Sequence, residues 1–123
     1  MNSNDFTRIR VSEDATNKLK LLKSRTGLTP NIICRIALCY SLEKENISSL
    51  IPSDENGQEF NRHTLTGNYD NYIISLVKQR CVIEGIDPKK EFLFQFKAHL
   101  NNGILILHSR IKNLSDLADL MRK

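Results

Sequence analysis

The chain has no tryptophan, and among its 123 residues only three are cysteine, three proline and five glycine, with aromatics at 7%. Cys34, Cys39 and Cys81 are odd in number and lack CxxC spacing, which excludes a disulfide framework and a four-thiolate zinc or iron–sulfur site. The glycines are scattered as helix stops and turns rather than gathered into a phosphate loop, so nucleotide hydrolysis is not expected. His63, His99 and His108 form no HExxH or HxxxH pattern, and no acidic cluster resembles a two-metal nuclease site. No apolar run approaches the roughly 18 to 20 residues that span a bilayer. The polar opening from Met1 to Asp5 does not read as a targeting leader, so the expectation is a cytoplasmic protein with no membrane contact.

Hydrophobic residues make up 40% of the sequence, enough for one core and too many for a disordered chain. A single domain is expected over 1–123, with a basic unit at 1–45 and a helical remainder at 57–123. The net charge is +4, unevenly spread. Residues 1–45 carry eight basic against five acidic side chains, 46–71 one against four, and 72–123 nine against five. A charge of that size on a monomer is an ordinary solvated surface, whereas an oligomer multiplies it into a field that attracts phosphate.

The segment Phe6-Thr7-Arg8-Ile9-Arg10-Val11 alternates, with Ile9 and Val11 on one face and Arg8 and Arg10 on the other, as a half-buried strand does. Ser12 is a good N-cap, Glu13 and Asp14 suit a positive first turn, and Ala15, Leu19 and Leu22 keep helical spacing until Gly27 supplies C′. Thr29 caps a second helix with Pro30 at its first position, and Ile32, Ile33, Ile36, Ala37 and Tyr40 form its apolar face. A single strand leaves its backbone groups without a partner, which predicts pairing with the same strand of a second subunit.

The order strand, helix, Gly turn, helix resembles the ribbon-helix-helix DNA-binding unit, whose two-chain ribbon presents alternate side chains to the major groove. The resemblance implies that Arg8 and Arg10 face DNA and that the second helix start, at Thr29 and Asn31, offers N–H groups to a phosphate. Lys18, Lys20, Lys23 and Arg25 extend the basic surface. The plain alternative is a charged strand face that resists aggregation, with the helix lysines merely solvated. Arg35, inside an apolar helix, suits an ion pair at a subunit interface as well as a phosphate contact.

From Glu43 to Ser53 the apolar period is lost in an acidic, breaker-rich connection. A third helix is expected near Tyr69, capped by Asn68, with Tyr72, Ile73, Leu76 and Val77 buried and Gly85 as its stop. Asp87 and Pro88 open a fourth, in which Phe92, Phe96 and Leu100 share a stripe that Leu93 and Phe94 widen enough for a subunit interface. Gly103 to Leu107 fits strand or helix and is assigned helix on context, and Ser115 caps a last short helix. The fold class is therefore mainly α: a short N-terminal strand followed by a helix bundle, with a ribbon-helix-helix-like N-terminal unit.

The most distinctive stretch is Gly57-Gln58-Glu59-Phe60-Asn61-Arg62-His63-Thr64-Leu65-Thr66-Gly67-Asn68-Tyr69-Asp70, with Tyr72. Asn61, Arg62, His63 and Thr64 suit contacts with DNA or protein, but a hydrogen-bonded loop satisfying buried backbone groups is favoured for each. Glu59 and Arg62 have the spacing of a pair on a helical turn, and Phe60 and Leu65 read as core. This run resembles the central motif of DndE, a small protein family of bacterial DNA sulfur modification. The resemblance implies a non-catalytic accessory protein without cofactor that binds duplex DNA, nicked duplex included, as a homotetramer beside other proteins of the sulfur-modification system. Lys78, Lys89, Lys90 and Lys97 are then secondary DNA contacts, with Lys90 and Lys97 on one helical face. A protein-only scaffold and a repressor of the operon are the rival expectations. Cysteine chemistry is not expected, since Cys34 and Cys39 lie in an apolar helix and Cys81 has no histidine at helical spacing.

Overall fold

The computed structural model describes residues 6–43 and 54–122. The elements run β1 (Arg8–Arg10), α1 (Glu13–Thr26), α2 (Pro30–Glu43), β2 (Glu59–Asn61), α3 (Arg62–Thr66), a 3-10 turn (Gly67–Tyr69), α4 (Asp70–Ile83), α5 (Pro88–Arg110) and α6 (Leu114–Met121). The mainly α class stands. The connection expected over Glu43 to Ser53 lies, from 44 onward, outside the described residues.

The local chemistry of α1 is as the sequence predicts. Ser12 Oγ accepts from the Ala15 N–H at 3.0 Å, and Gly27 closes the helix with φ 76°, its N–H donating to the Lys23 carbonyl. A left-handed residue here favours glycine because no Cβ crowds the preceding turn.

The pairing of β1 differs from expectation. It runs antiparallel to β2 of the same chain, with Arg8 opposite Asn61, Ile9 opposite Phe60 and Arg10 opposite Glu59. The ribbon is thus made within one subunit, and the edge of β1 that faces β2 has its backbone groups paired inside the chain. Three residues of alternation, Glu59-Phe60-Asn61, are too short to stand out as a strand. Ile9 and Phe60, both at 4% exposure, face the core from adjacent strands.

The helix α5 is the axis of the molecule and packs against α1, α2 and α4. Phe92, Phe96, Leu100, Ile104 and Leu107 run buried along it, and the Phe92 and Phe96 rings meet Phe6 at 6.3 and 5.1 Å between centroids. Gly103 lies in the middle of this helix rather than at a stop. A Cβ there would sit 2.0 Å from the Ala37 carbonyl oxygen, so α2 and α5 approach until backbone touches backbone. That approach rotates α2: its buried face is Ile33, Cys34, Ala37, Leu38 and Ser41, while Ile32 is exposed and Ile36 and Tyr40 are half-buried.

Two further helix starts are displaced from their expected caps. Tyr69 occupies the N-cap position of α4 and makes no side-chain cap bond, because the 3-10 turn delivers the chain already helical. The buried face of α4 is Ile73, Ile74, Val77, Arg80 and Cys81; Tyr72 is 62% exposed. The α6 helix is capped by Asn113, whose side chain accepts from the Asp116 N–H at 2.9 Å, not by Ser115. Among the described residues, no helix is long and apolar enough to cross a membrane.

Candidate nucleic-acid interface

Alternation along β1 buries Ile9 and turns Arg8 and Arg10 outward. Across the ribbon, Glu59 lies between them, with Oε2 at 3.7 Å from Arg8 Nη1 and Oε1 at 3.7 Å from Arg10 Nε. The pair expected between Glu59 and Arg62 is not formed, since Glu59 belongs to a strand and not to a helical turn. From α5, Lys97 reaches the same region and pairs with Glu55. Arg8, Ile9, Arg10, Glu55, Glu59, Leu93 and Lys97 line an open cleft of about 230 Å³. The fold thereby joins three of the predicted cations that are up to 89 positions apart, in a groove also holding two carboxylates that the sequence pattern does not assign to the site.

The acidic side of the cleft is pinned by its loop. Asp54 Oδ1 accepts from the backbone N–H groups of Glu13 and Asn56, both at 3.0 Å. These hydrogen bonds, the Asn56 one foremost, hold its carboxyl below the usual range. The Gly57 N–H donates to the Val11 carbonyl, the Gln58 N–H to Thr16 Oγ1 at 2.8 Å, and Arg10 Nη1 to the Gly57 carbonyl at 3.2 Å. Gly57 permits this docking because a Cβ would lie 2.1 Å from Thr16 Oγ1 and 2.3 Å from the Ser12 carbonyl oxygen.

The remaining predicted cations are dispersed. Lys20 and Lys23 are exposed on α1; Lys18 pairs with Asp14 at 2.6 Å. Arg25 Nη1 donates to the carbonyls of His108 and Ile111 at 3.2 and 3.3 Å, tying α1 to the end of α5. At the start of α2, Thr29 is exposed and Asn31 half-buried, and the Thr29 carbonyl accepts from the Ile33 N–H. Lys78 is exposed on α4, and Lys89 and Lys90 are exposed in the first turn of α5, where the Lys89 N–H binds the Asp87 cap.

The glycine- and aromatic-rich signature is chiefly architectural. Asn61 caps α3 by accepting from the His63 and Thr64 N–H groups. Arg62 forms a two-armed pair with Asp70, 3.0 Å in each arm, and lies 5.1 Å over the Phe6 ring. Arg35 donates to the carbonyls of Leu65 at 2.7 Å and Thr64 at 3.1 Å, so its role is to close the end of α3. Gly67, with φ 57° and ψ −138°, is required beside that guanidinium, where a Cβ would meet Arg35 Nη2 at 2.8 Å. His63 and Thr64 remain exposed.

The thiols follow the packing expectation in part: Cys34 and Cys81 are buried and Cys39 is half-buried. Desolvation raises the pKa of all three, which opposes thiolate formation. Among the described residues no group of three histidine, cysteine or acidic side chains is placed to hold a metal.

His99 is fully buried, its Nδ1 2.8 Å from Ser41 Oγ, and burial lowers its pKa to about 4. The unfolded chain, with an ordinary pKa of 6.5, therefore binds a proton there that the folded chain refuses. Stability is expected to fall as pH drops from 6.5 towards 4 and to be unaffected by this group above pH 7. Urea midpoints at pH 7 and pH 5 test it: His99→Asn should lose less stability between the two than the parent, and equal losses would refute the assignment.

Fold and surface define a small, mostly helical protein with a charge-compensated cationic cleft and no metal-ligand cluster among its described residues. The chain belongs to the DndE family: the family's sequence model, described as DNA sulphur modification protein DndE, matches residues 8–115. The family takes part in DNA phosphorothioation. A crystal structure of DndE from Escherichia coli B7A, involved in DNA phosphorothioation modification, is similar at a TM-score of 0.69 and 27% identity, covering 83% of this chain and 96% of that one. A glycine-to-lysine mutant of DndE involved in DNA phosphorothioation is similar at 0.67 and 25%, covering 83% and 97%. No curated protein matches the sequence.

Proposed function

We propose that this chain is a non-catalytic accessory protein of bacterial DNA phosphorothioation that binds duplex DNA, with nicked duplex preferred, through Lys and Arg side chains of a homotetramer. The observation that carries the reading is the convergence of Arg8, Arg10 and Lys97 on one open cleft in a member of a DNA-modification family. An open groove exposing guanidinium groups suits a phosphodiester backbone, which needs charge and hydrogen-bond donors and no enclosed pocket. The exposed Lys20, Lys23, Lys78, Lys89 and Lys90 add to the field that draws a polyanion to the surface.

A protein-only scaffold is the second reading, and a specific observation favours it: Tyr69, Tyr72, Val82 and Ile83 are 59 to 72% exposed along α4 and the turn before it. Such side chains suit partner proteins of the sulfur-transfer machinery. The repressor reading rests on the N-terminal unit alone, whose ribbon is formed within the chain, and it predicts affinity for one promoter sequence well above random duplex.

Charge reversal at Arg8 and Arg10 separates the two readings. For the DNA binder, affinity for intact, nicked and single-stranded DNA should fall as salt rises, with nicked duplex bound tightest. The double reversal should weaken binding and flatten the log–log salt slope by about two, one unit for each phosphate that is no longer neutralised. Light scattering should show the same multiple of 14.1 kDa for both proteins. Unchanged DNA affinity together with failure to bind partner proteins would favour the scaffold.

A further inference from the structure

We infer that Glu55 and Glu59 are built-in stand-ins for DNA phosphate, holding the cationic cleft in its DNA-free state and setting how tightly it binds. The inference rests on the DNA-binding reading of that cleft. Glu59 presents one carboxylate oxygen to each of two guanidinium groups at 3.7 Å, an arrangement that a phosphodiester with two non-bridging oxygens reproduces. At 3.7 Å the contacts are ion pairs without hydrogen bonds, whereas the structural pair of Arg62 and Asp70 closes to 3.0 Å in both arms. The Arg8, Arg10 and Glu59 side chains are 70%, 50% and 38% exposed, against 16% and 19% for Arg62 and Asp70. The Glu59 contacts are therefore loose and exchangeable, while Arg10 keeps its bond to the Gly57 carbonyl and the Arg62–Asp70 pair is fixed.

The carboxylates are also held in place by the fold. The bonds that tie Asp54 to Glu13, Gly57 to Val11 and Gln58 to Thr16 leave the intervening Glu55 against Lys97 and the following Glu59 on the ribbon beside the arginines. Release of Glu59 needs only side-chain rotation, because β2 keeps its backbone register. An incoming phosphate displaces one carboxylate and leaves it nearby as a repelling charge, so the acidic residues lower affinity for any duplex and leave scanning reversible.

The test is duplex affinity by fluorescence anisotropy for the parent, E59Q, E55Q/E59Q, R8Q/R10Q and D119N. Asp119 lies outside the cleft on α6 and gives the same change in net charge as E59Q. Removing one unit charge about 4 Å from a bound phosphate should tighten binding about fivefold even at the dielectric of water. E59Q is expected to reach that factor, E55Q/E59Q to exceed it, and D119N to change little. Carboxamide variants that bind like the parent or like D119N, while R8Q/R10Q loses binding, would overturn the inference and leave the DNA-binding reading standing. R8Q/R10Q binding as tightly as the parent would remove this cleft from the DNA-binding reading and the inference with it.

Discussion

Gly103→Ala is expected to melt about 10 °C below the parent, a cost of about 3 kcal/mol for one added methyl group. Two effects of opposite sign meet at this position. Alanine is the better helix former by roughly 1 kcal/mol, and Gly103 is mid-helix, so propensity alone predicts a more stable protein. Its Cβ, however, would be 2.0 Å from the Ala37 carbonyl oxygen and 2.5 Å from the carbonyl carbon. Those atoms are backbone in the middle of α2 and cannot rotate aside, so relief requires α2 and α5 to separate along the largest helix contact among the described residues. Separation would loosen Ala37, Leu38 and Ile104 from the core. Calorimetry on Gly103→Ala and Gly103→Val settles the balance: the valine form should be worse, and a melting temperature at or above the parent's would show that the two helices are not held in contact.

Asp70→Ala should also be damaging, costing about 2 kcal/mol, less than breaking a fully buried ion pair from one side because both partners are half-buried. Its carboxylate accepts both arms of Arg62 and the Thr66 hydroxyl at 2.8 Å, and the loss takes the two-armed carboxylate from a guanidinium that is 16% exposed. The same geometry fixes a pH dependence. Hydrogen bonding from Arg62 lowers the Asp70 pKa below its ordinary value of 3.8. The unfolded chain thus takes up the proton first as acid is added. The stabilisation is complete above the unfolded value and is lost as pH falls through the folded one. Asp70→Asn keeps the shape and should flatten the acid limb of stability below pH about 4. An acid limb identical to the parent's would remove Asp70 from the groups that drive acid unfolding. Since the pair sits beneath the ribbon through Phe6 and the Arg62 N–H bond to Thr7, both variants should also loosen β1 and with it the cleft.

The legibility of the site divides along the range of the forces involved. Arg8 and Arg10 are readable because alternation with Ile9 and Val11 states which side chains face out. Their neutralising partner is not, because Glu59 reaches them across 49 and 51 positions of chain through a three-residue strand. Arg25 and Arg35 look in sequence like surface or interface charges, yet each donates to carbonyls at the end of another helix. Nothing in their neighbours announces that carbonyl ends lie within reach. The signature run is recognisable as a motif, but its work in joining β2, α3 and α4 depends on Arg35 and Phe6, which belong to other elements.

By itself the sequence determined the helical class, the Ser12 and Asp87 caps, the left-handed stop at Gly27 and the Phe92-Phe96-Leu100 stripe. These are set by neighbours within a turn or two, where hydrogen-bond geometry and side-chain periodicity act directly. Only the tertiary structure decided that β1 pairs with β2, that Gly103 is a contact point, and that Glu55 and Glu59 meet Lys97, Arg8 and Arg10. Each of those requires close approach between distant segments, which hydrophobic burial drives without regard to sequence order.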